Sequence, residues 1–352
     1  MKFFEVLDII NGRNQKQVEN PKGKYPIYGS GGVMGYADDY ICGANTVIIG
    51  RKGSINNPIY VDEPFWNVDT AFGLVAHKEV LLPKYLYYFC VNFNFEKLNT
   101  TVTIPSLTKA NLLQIEIAVP SIEKQNEIVA VLDQVSALIA LRHRQLKEID
   151  DLVKSRFIEM FGDRYINDRN WNCKPLYECA DFYNGKAHEQ VVDENGEYIL
   201  VTSRCIASDI TDYRRTNELL FPLRTNDIVM VMSDVPNGRA IGKCLLIDED
   251  NKYTLNQRIC CFRNYLLNPI YFSYLLNRHE YFLSFDDGNA QTNLRKDDLL
   301  ACSIIIPPMD LQERFAALVE QIDKSKFYNI QTQKITELLI RAIQYKTKEV
   351  LL

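Results

Sequence analysis

One stretch of this chain occurs twice. Residues 107–139 align without a gap to residues 294–326, at a separation of 187, and 9 of the 33 positions are identical. They include Leu107/Leu294, Lys109/Lys296, Leu112/Leu299, Pro120/Pro307, Gln125/Gln312 and Gln134/Gln321. Most of the rest are conservative exchanges, such as Val135/Ile322. A repeat of this length fixes the architecture before any local reading, because the chain must hold two copies of one supersecondary plan.

The likeness continues upstream more loosely. Asn11-Gly12 matches Asn184-Gly185, each after an apolar run. Asn45 to Ile49 matches Asn226 to Met230, and Pro83-x-Tyr85 matches Pro269-x-Tyr271. The separation drifts from 173 to 187 along the chain, which places insertions in loops on a shared scaffold. Apolar runs bounded by turn residues predict strands at Val47–Ile49, Ile199–Val201, Ile228–Met232 and Cys244–Ile247, and short helices at Tyr85–Val91 and Ile270–Asn277. At each junction a short strand (Gln114–Val119; Ala301–Ile306) meets a proline, after which a helix begins.

The first helix is expected over about 121–160. Its apolar stripe is Ile128, Leu132, Val135, Ile139, Leu146, Ile149, Val153 and Met160, with Arg142 and Arg156 interrupting the seam. Forty residues at ~1.5 Å each reach about 60 Å, far beyond an ordinary globular helix. The second is expected over about 310–350, with Phe315, Leu318, Ile322, Ile330, Leu338, Leu339 and Ala342. Two such seams predict an antiparallel coiled coil and a pseudo-twofold relation between the units. A twofold-like protein suits the twofold symmetry of the DNA backbone, with half-sites about 34 Å apart on one side of the duplex.

The fold class expected is therefore α+β: two similar mixed α/β globular domains separated by two long helices. The boundaries are 1–120 and 163–307 for the domains, 121–162 and 308–352 for the helices. Composition agrees with a soluble protein, at 47% apolar and 24% charged residues. The net charge of −5 argues against a uniformly basic surface but leaves room for one basic face. Nine cysteines without a C-x-x-C pair read as buried free thiols in a reducing compartment. No apolar run nears the roughly 18 residues of a membrane span, and the first residues carry no secretory leader, so a cytoplasmic protein without a membrane partner is expected.

Motifs for chemistry are missing. Gly29 to Gly35 is rich in glycine but leads to Tyr36-Ala37-Asp38, not to the Gly-Lys-Ser/Thr of a phosphate loop; a tight loop packed near DNA is expected there. Ile306-Pro307-Pro308-Met309 lacks the Asn or Asp of an adenine methylase motif. His77, His143, His188 and His279 are far apart, and no nucleophile–base pair or metal cluster is predicted.

Domain, helix, domain, helix, in that order, resembles the specificity subunit of type I restriction–modification systems. Local phrases carry the resemblance too: the Asn-Gly turns, Tyr25-Pro26-Ile27-Tyr28-Gly29-Ser30-Gly31-Gly32, the Pro120…Gln125 and Pro307…Gln312 junctions, and Leu255-Asn256-Gln257-Arg258-Ile259. It covers essentially the whole chain. The resemblance implies two target recognition domains, each reading half of a split site in double-stranded DNA. It also implies two methyltransferase subunits and restriction/motor subunits as partners. Those partners would use S-adenosylmethionine, ATP and Mg, leaving this chain without a cofactor, a metal or a catalytic residue. Two other classes remain open from the residues alone: a stand-alone DNA methyltransferase or nuclease, and a coiled-coil adaptor that binds proteins.

Arg suits guanine edges, Asn and Gln suit adenine, and Lys, Ser and Thr suit phosphate. Such residues cluster in turn-rich stretches of both halves. Lys22, Tyr25, Ser30, Arg51, Lys52, Ser54 and Asn56 are the DNA-binding candidates of the first, with a further cluster over Thr100–Ser106. Those of the second are Ser203, Arg204, Arg214, Arg215, Ser233, Asn237, Arg239, Gln257, Gln291, Thr292, Asn293 and Arg295. Lys109 and Lys296 recur at one repeat position, so phosphate or scaffold roles are expected for them.

Overall fold

The strand-forming runs of each half pair into two principal sheets, whose strand order is the same in both halves, and the second half adds two two-stranded pairs. This is a computed structural model, and it describes residues 1–52, 54–98, 106–235, 240–286, 288 and 291–326. The chain divides between residues 144 and 145 into two compact units.

The first unit begins with α1 (Phe3–Val6) and β1 (Leu7–Asn11), followed by the hairpin β2 (Tyr25–Gly29) and β3 (Gly32–Ala37). Then come β4 (Thr46–Gly50), β5 (Ile59–Val61), β6 (Trp66–Asn67) and β7 (Ala71–Ala76). Helices α2 (Pro83–Asn92), α3 (Lys109–Leu113) and α4 (Ile122–Phe161) follow, the last running past residue 144 into the second unit. The main sheet has the order β1-β7-β4-β5, all antiparallel. In the smaller sheet, β2 pairs antiparallel with β3 and parallel with β6. Every residue of β4 is buried, as a continuous apolar run in mid-sheet requires. Phe3, Val47, Phe72, Leu86, Phe95 and Leu112 share the core between this sheet and the helices.

The second unit repeats the plan. Its elements are β8 (Asn172–Pro175), α5 (Leu176–Cys179), β9 (Asp181–Asn184), β10 (Tyr198–Val201), α6 (Ser203–Ala207), β11 (Arg214–Thr216), β12 (Ile228–Val231), β13 (Ser233–Asp234) and β14 (Cys244–Leu246). They continue with β15 (Tyr253–Leu255), β16 (Ile259–Arg263), α7 (Pro269–Leu276), α8 (Glu280–Leu283), β17 (Thr292–Asn293), α9 (Lys296–Leu300) and β18 (Ser303–Ile306). The main sheet runs β9-β16-β12-β14, and the smaller pairs β10 antiparallel with β11 and parallel with β15. Strand for strand, these are the orders of the first unit, and the chain is mixed α and β as expected.

Several residues shared by the two halves make equivalent bonds. Gln125 is fully buried; its Oε1 accepts from the Leu82 N–H at 2.8 Å and its Nε2 donates to the Pro120 carbonyl at 2.8 Å. Gln312 does the same with the Asn268 N–H at 2.9 Å and the Pro307 carbonyl at 2.8 Å. The Tyr85 hydroxyl donates to Ala118 O and the Tyr271 hydroxyl to Ile305 O, each at 3.0 Å. The Asn-Gly turns are equivalent for a steric reason: a Cβ on Gly12 would stand 1.8 Å from Val68 O, and one on Gly185 2.0 Å from Asn256 O.

Three expectations need correction. Residues 114–119 form no ladder; Ile117 N bonds Met1 O and Phe3 N bonds Ile115 O, and the partner segment is too short to extend the pairing. Its repeat equivalent, β18, finds a full partner in β8. The glycine stretch is not a loop but the β2–β3 hairpin, closed by Ser30 and Gly31 with Gly32 at φ +119°. The seam of α4 passes through Val153, Phe157 and Phe161 with Met160 half-buried against the same core, and Arg156 lies outside it rather than interrupting it, exposed and bonded to Glu159.

Within the second unit a further helix, described over 309–326, lies antiparallel on the end of α4. Phe315 packs 5.4 Å from Phe157 and 5.5 Å from Phe161, and farther along Lys326 pairs with Asp150 at 2.5 Å. The remaining predicted seam, with Ile330, Leu338, Leu339 and Ala342, lies outside the described residues.

Candidate nucleic-acid interface

At one edge of the second unit the loops leaving β10, β12 and β15 converge on a cleft of about 350 Å³. Four expected residues line it: Ser203, Ser233, Gln257 and Gln291. Glu189, Thr202, Asp234, Asn256 and Arg258 complete its polar wall. Its backbone is pinned from several sides. Gln257 N donates to Lys186 O at 2.9 Å, Asn256 N to Val201 O at 3.1 Å, and Met232 N to Arg258 O at 3.1 Å. Arg258 sits at φ +68°, a conformation a long side chain seldom adopts without such restraint.

His188 secures the neighbouring turn. It is 1% exposed, with Nδ1 at 2.7 Å from the Lys186 carbonyl and Nε2 at 2.9 Å from the Thr254 hydroxyl. The carbonyl can only accept, so Nδ1 carries the hydrogen. Glu189 follows directly, and its Oε1 accepts from the Gln257 amide. On the other wall, Gln291 Nε2 donates to Ser233 Oγ at 2.7 Å. Asp234 accepts from the Val235, Ala240 and Ile241 backbone N–H groups.

The other candidates of this unit lie elsewhere. Arg204 is exposed and 3.7 Å from Asp212. Arg214 is exposed on β11, while the Arg215 guanidinium donates to the Gly196 and Glu197 carbonyls, each at 3.2 Å. Thr292 is turned inward, bonded to Asp286 at 2.8 Å; Asn293 donates to Gln291 O, and Arg295 is exposed ahead of α9. Asn237 and Arg239 lie outside the described residues.

The first unit offers the same edge with different side chains. Arg51 N donates to Thr70 O at 2.7 Å, and Leu107 N to Arg51 O at 2.9 Å. These are the counterparts of Met232–Arg258 and Leu294–Met232. Lys52 bridges Ser106 as Ser233 pairs with Asn293. Ser30 thus corresponds to Ser203, Lys52 to Ser233 and Asp69 to Gln257. Ser30 and Ser54 both crowd Gly50, where a Cβ would stand 2.9 Å from Ser30 Cβ and 2.4 Å from Ser54 O. Arg51 lies 5.8 Å from the Phe72 ring. Tyr25 packs on Tyr40 at 4.9 Å with Lys24 near its face, and Lys22 is exposed in the preceding turn. Asn56 is engaged structurally: Oδ1 accepts from Phe95 N at 2.8 Å and Nδ2 donates to Asn94 at 3.2 Å. Of the cluster expected over Thr100–Ser106, only Ser106 is described.

Lys109 Nζ donates to Ile9 O at 2.7 Å, and Lys296 stands 5.4 Å from the Phe182 ring. Both face the first strand of their own sheet. Sequence reading did not find Glu189, since the candidates were sought among basic, amide and hydroxyl residues. Its place four residues past the Asn-Gly turn, opposite the Leu255–Ile259 phrase, was the available clue. Among the described residues no group of three or more His, Cys, Asp or Glu could hold a metal ion, and no helix is long and apolar enough to cross a membrane.

Two copies of one two-sheet domain, each presenting a polar loop edge and each followed by a helix, define a doubled recognition module. The chain belongs to the family of type I restriction modification DNA specificity domains, whose model matches residues 1–151 and again 168–339. It is 24% identical to a type I restriction enzyme specificity subunit assigned in Haemophilus influenzae, over 98% of this chain and 91% of that one. A second relative, the MjaIX specificity subunit of Methanocaldococcus jannaschii, is 23% identical over 81% and 71%. Among solved structures, the S subunit of a type I restriction–modification system from M. genitalium has the same fold. Its TM-score is 0.59 at 15% identity, covering 99% of this chain and 95% of that one. A chain from a structure on complex assembly and conformational transition of the type I system gives 0.55 at 15% identity, covering 99% and 96%.

Proposed function

We propose that this specificity subunit reads a bipartite DNA site, one half with each loop edge, and takes no part in bond-making itself. The supporting observation is the equivalence of the two edges: the backbone bonds recur and Ser30 matches Ser203, while the neighbouring side chains change, from Lys52 and Asp69 to Ser233 and Gln257. A shared frame with unlike polar ends is what two different half-sites need. The recognition domains are 1–120 and 163–307, and the helices 121–162 and 308–352 set their spacing and dock two methyltransferase subunits and the restriction/motor subunits. An antiparallel coiled coil with pseudo-twofold symmetry would present both edges to one side of the duplex. S-adenosylmethionine, ATP and Mg act in the partners, and the assembly works in the cytoplasm.

The test is a chimera. The segment from Arg204 to Arg239 is exchanged for that of another specificity subunit, and modified sites are mapped by sequencing methylated DNA. One half-site should change and the other persist; change in both, or in neither, defeats the modular reading. Salt-sensitive binding of the full chain to duplex DNA separates this from a protein-only adaptor.

A further inference from the structure

We infer that Gln257 reads an adenine in the half-site of the second domain, and that Glu189 is the positioning residue that fixes which way its amide faces. The inference rests on the DNA-recognition reading above and assigns one contact within it. A glutamine amide can turn over, exchanging its acceptor for its donor, unless a neighbour dictates the orientation. A carboxylate accepts only, so Glu189 Oε1 takes one Nε2 hydrogen of Gln257 and excludes the flipped form. The Gln257 carbonyl oxygen and its second N–H remain for a ligand. That acceptor and donor match the N6 amino group and N7 of adenine in the major groove.

The frame behind the pair is rigid on both sides. Gln257 is held through its own N–H by Lys186 and between the anchored residues Asn256 and Arg258. Glu189 follows the buried His188, which is tied to Lys186 O and Thr254. Gly185 lets this turn press against Asn256, where a Cβ would stand 2.0 Å from the carbonyl oxygen. Gln291, the glutamine across the cleft, donates to Ser233. A hydroxyl can donate or accept, so it leaves that amide free to flip. The corresponding position in the first domain is Asp69, an acceptor only, so the contact belongs to one half-site.

The experiment selects bound sequences from a randomised duplex library with the full chain, for wild type and three variants, checking that each variant melts as the wild type does. Wild type should select two half-sites. Gln257→Ala should lose a roughly 5- to 150-fold preference for A·T at a single position of one half, leaving the other half intact. Gln257→Arg should move that position toward G·C. Glu189→Gln should weaken the preference at that same position and at no other, which a merely structural defect would not do. If Gln257→Ala keeps the wild-type site, or relaxes a position that was not A·T, the inference falls while the recognition reading stands. A wild-type chain that selects no sequence overturns both.

Discussion

Gln125 and Gln312 show what an identity in a repeat can mean physically. Each amide is buried and closes a backbone N–H and a carbonyl that no other group satisfies in the same way. Replacing either with alanine leaves at least two backbone groups without that partner, at about 1–2 kcal/mol each because most keep some access to water. Gln125→Ala and Gln312→Ala should each cost about 2–4 kcal/mol in urea denaturation; a loss near zero would mean that water substitutes for the amide. His279 makes a second prediction. It is 2% exposed, and burial, followed by the nearby Arg164 guanidinium, lowers its pKa from 6.5 to about 4. Below pH 6.5 the unfolded imidazole takes a proton that the folded one refuses, so stability falls as pH drops toward 4 and levels off below it. The loss is on the order of 3 kcal/mol. His279→Asn should remove that part of the slope between pH 6.5 and 4, measured from melting curves; an unchanged slope would assign it to other groups. At this scale the sequence was legible where a residue recurred and illegible where only a neighbour gave it meaning. Glu189 and Asp234 became interpretable once Gln257 and the Ala240 backbone were found beside them.

Among the elements, the helices were read best. The spacing of the stripe predicted 121–160, close to the observed Ile122–Phe161, and the Pro-x-Tyr phrases marked α2 and α7, each with proline in its first turn. The end of the α4 seam was read incompletely: Met160 packs on the core, but Phe157 and Phe161 are buried more deeply, and only packing distinguishes them. Phe157 touches Phe161, Tyr271 and Phe315. Phe157→Ala should destabilise the second unit by about 3–5 kcal/mol, while Arg156→Ala, on the exposed side, should stay within about 0.5 kcal/mol. Denaturant titration of the two variants compares them directly. The sheets were legible as strands but not as pairings, since β10 (ending at Val201) meets β15 (beginning at Tyr253) across 51 residues of intervening chain. The equivalence of Gly23 and Gly196 was missed for a related reason. Both abut strand backbone, where a Cβ would stand 2.4 Å from Ala37 C or 2.5 Å from Thr216 C, and only the short Gly-x-Tyr phrase (Tyr25, Tyr198) marks them in the sequence.

For the whole molecule, the repeat carried most of what could be foreseen: two domains of one plan, with unlike loops. Which loops would converge was not legible, because the cleft gathers residues from 189 to 291 through sheet order alone. The proposed role of the helices as a spacer has its own test. Inserting one helical turn, about four residues, near the middle of α4 should change the number of base pairs between the half-sites and leave the bases within each half unaltered. A constant spacer in the mapped sites would remove that role.

The closure of the first unit has a consequence for how the protein is made. Its opening residues bond to 115–117, so this unit cannot complete its fold until that far segment has left the ribosome. The matching segment of the second unit, 302–304, follows 187 residues later. At about 5–20 residues per second, the first unit waits roughly 10–40 s for the second. During that interval it must stand without its neighbour, and its buried Gln125 bridge and closed β1–β7 edge are in place before the second copy exists.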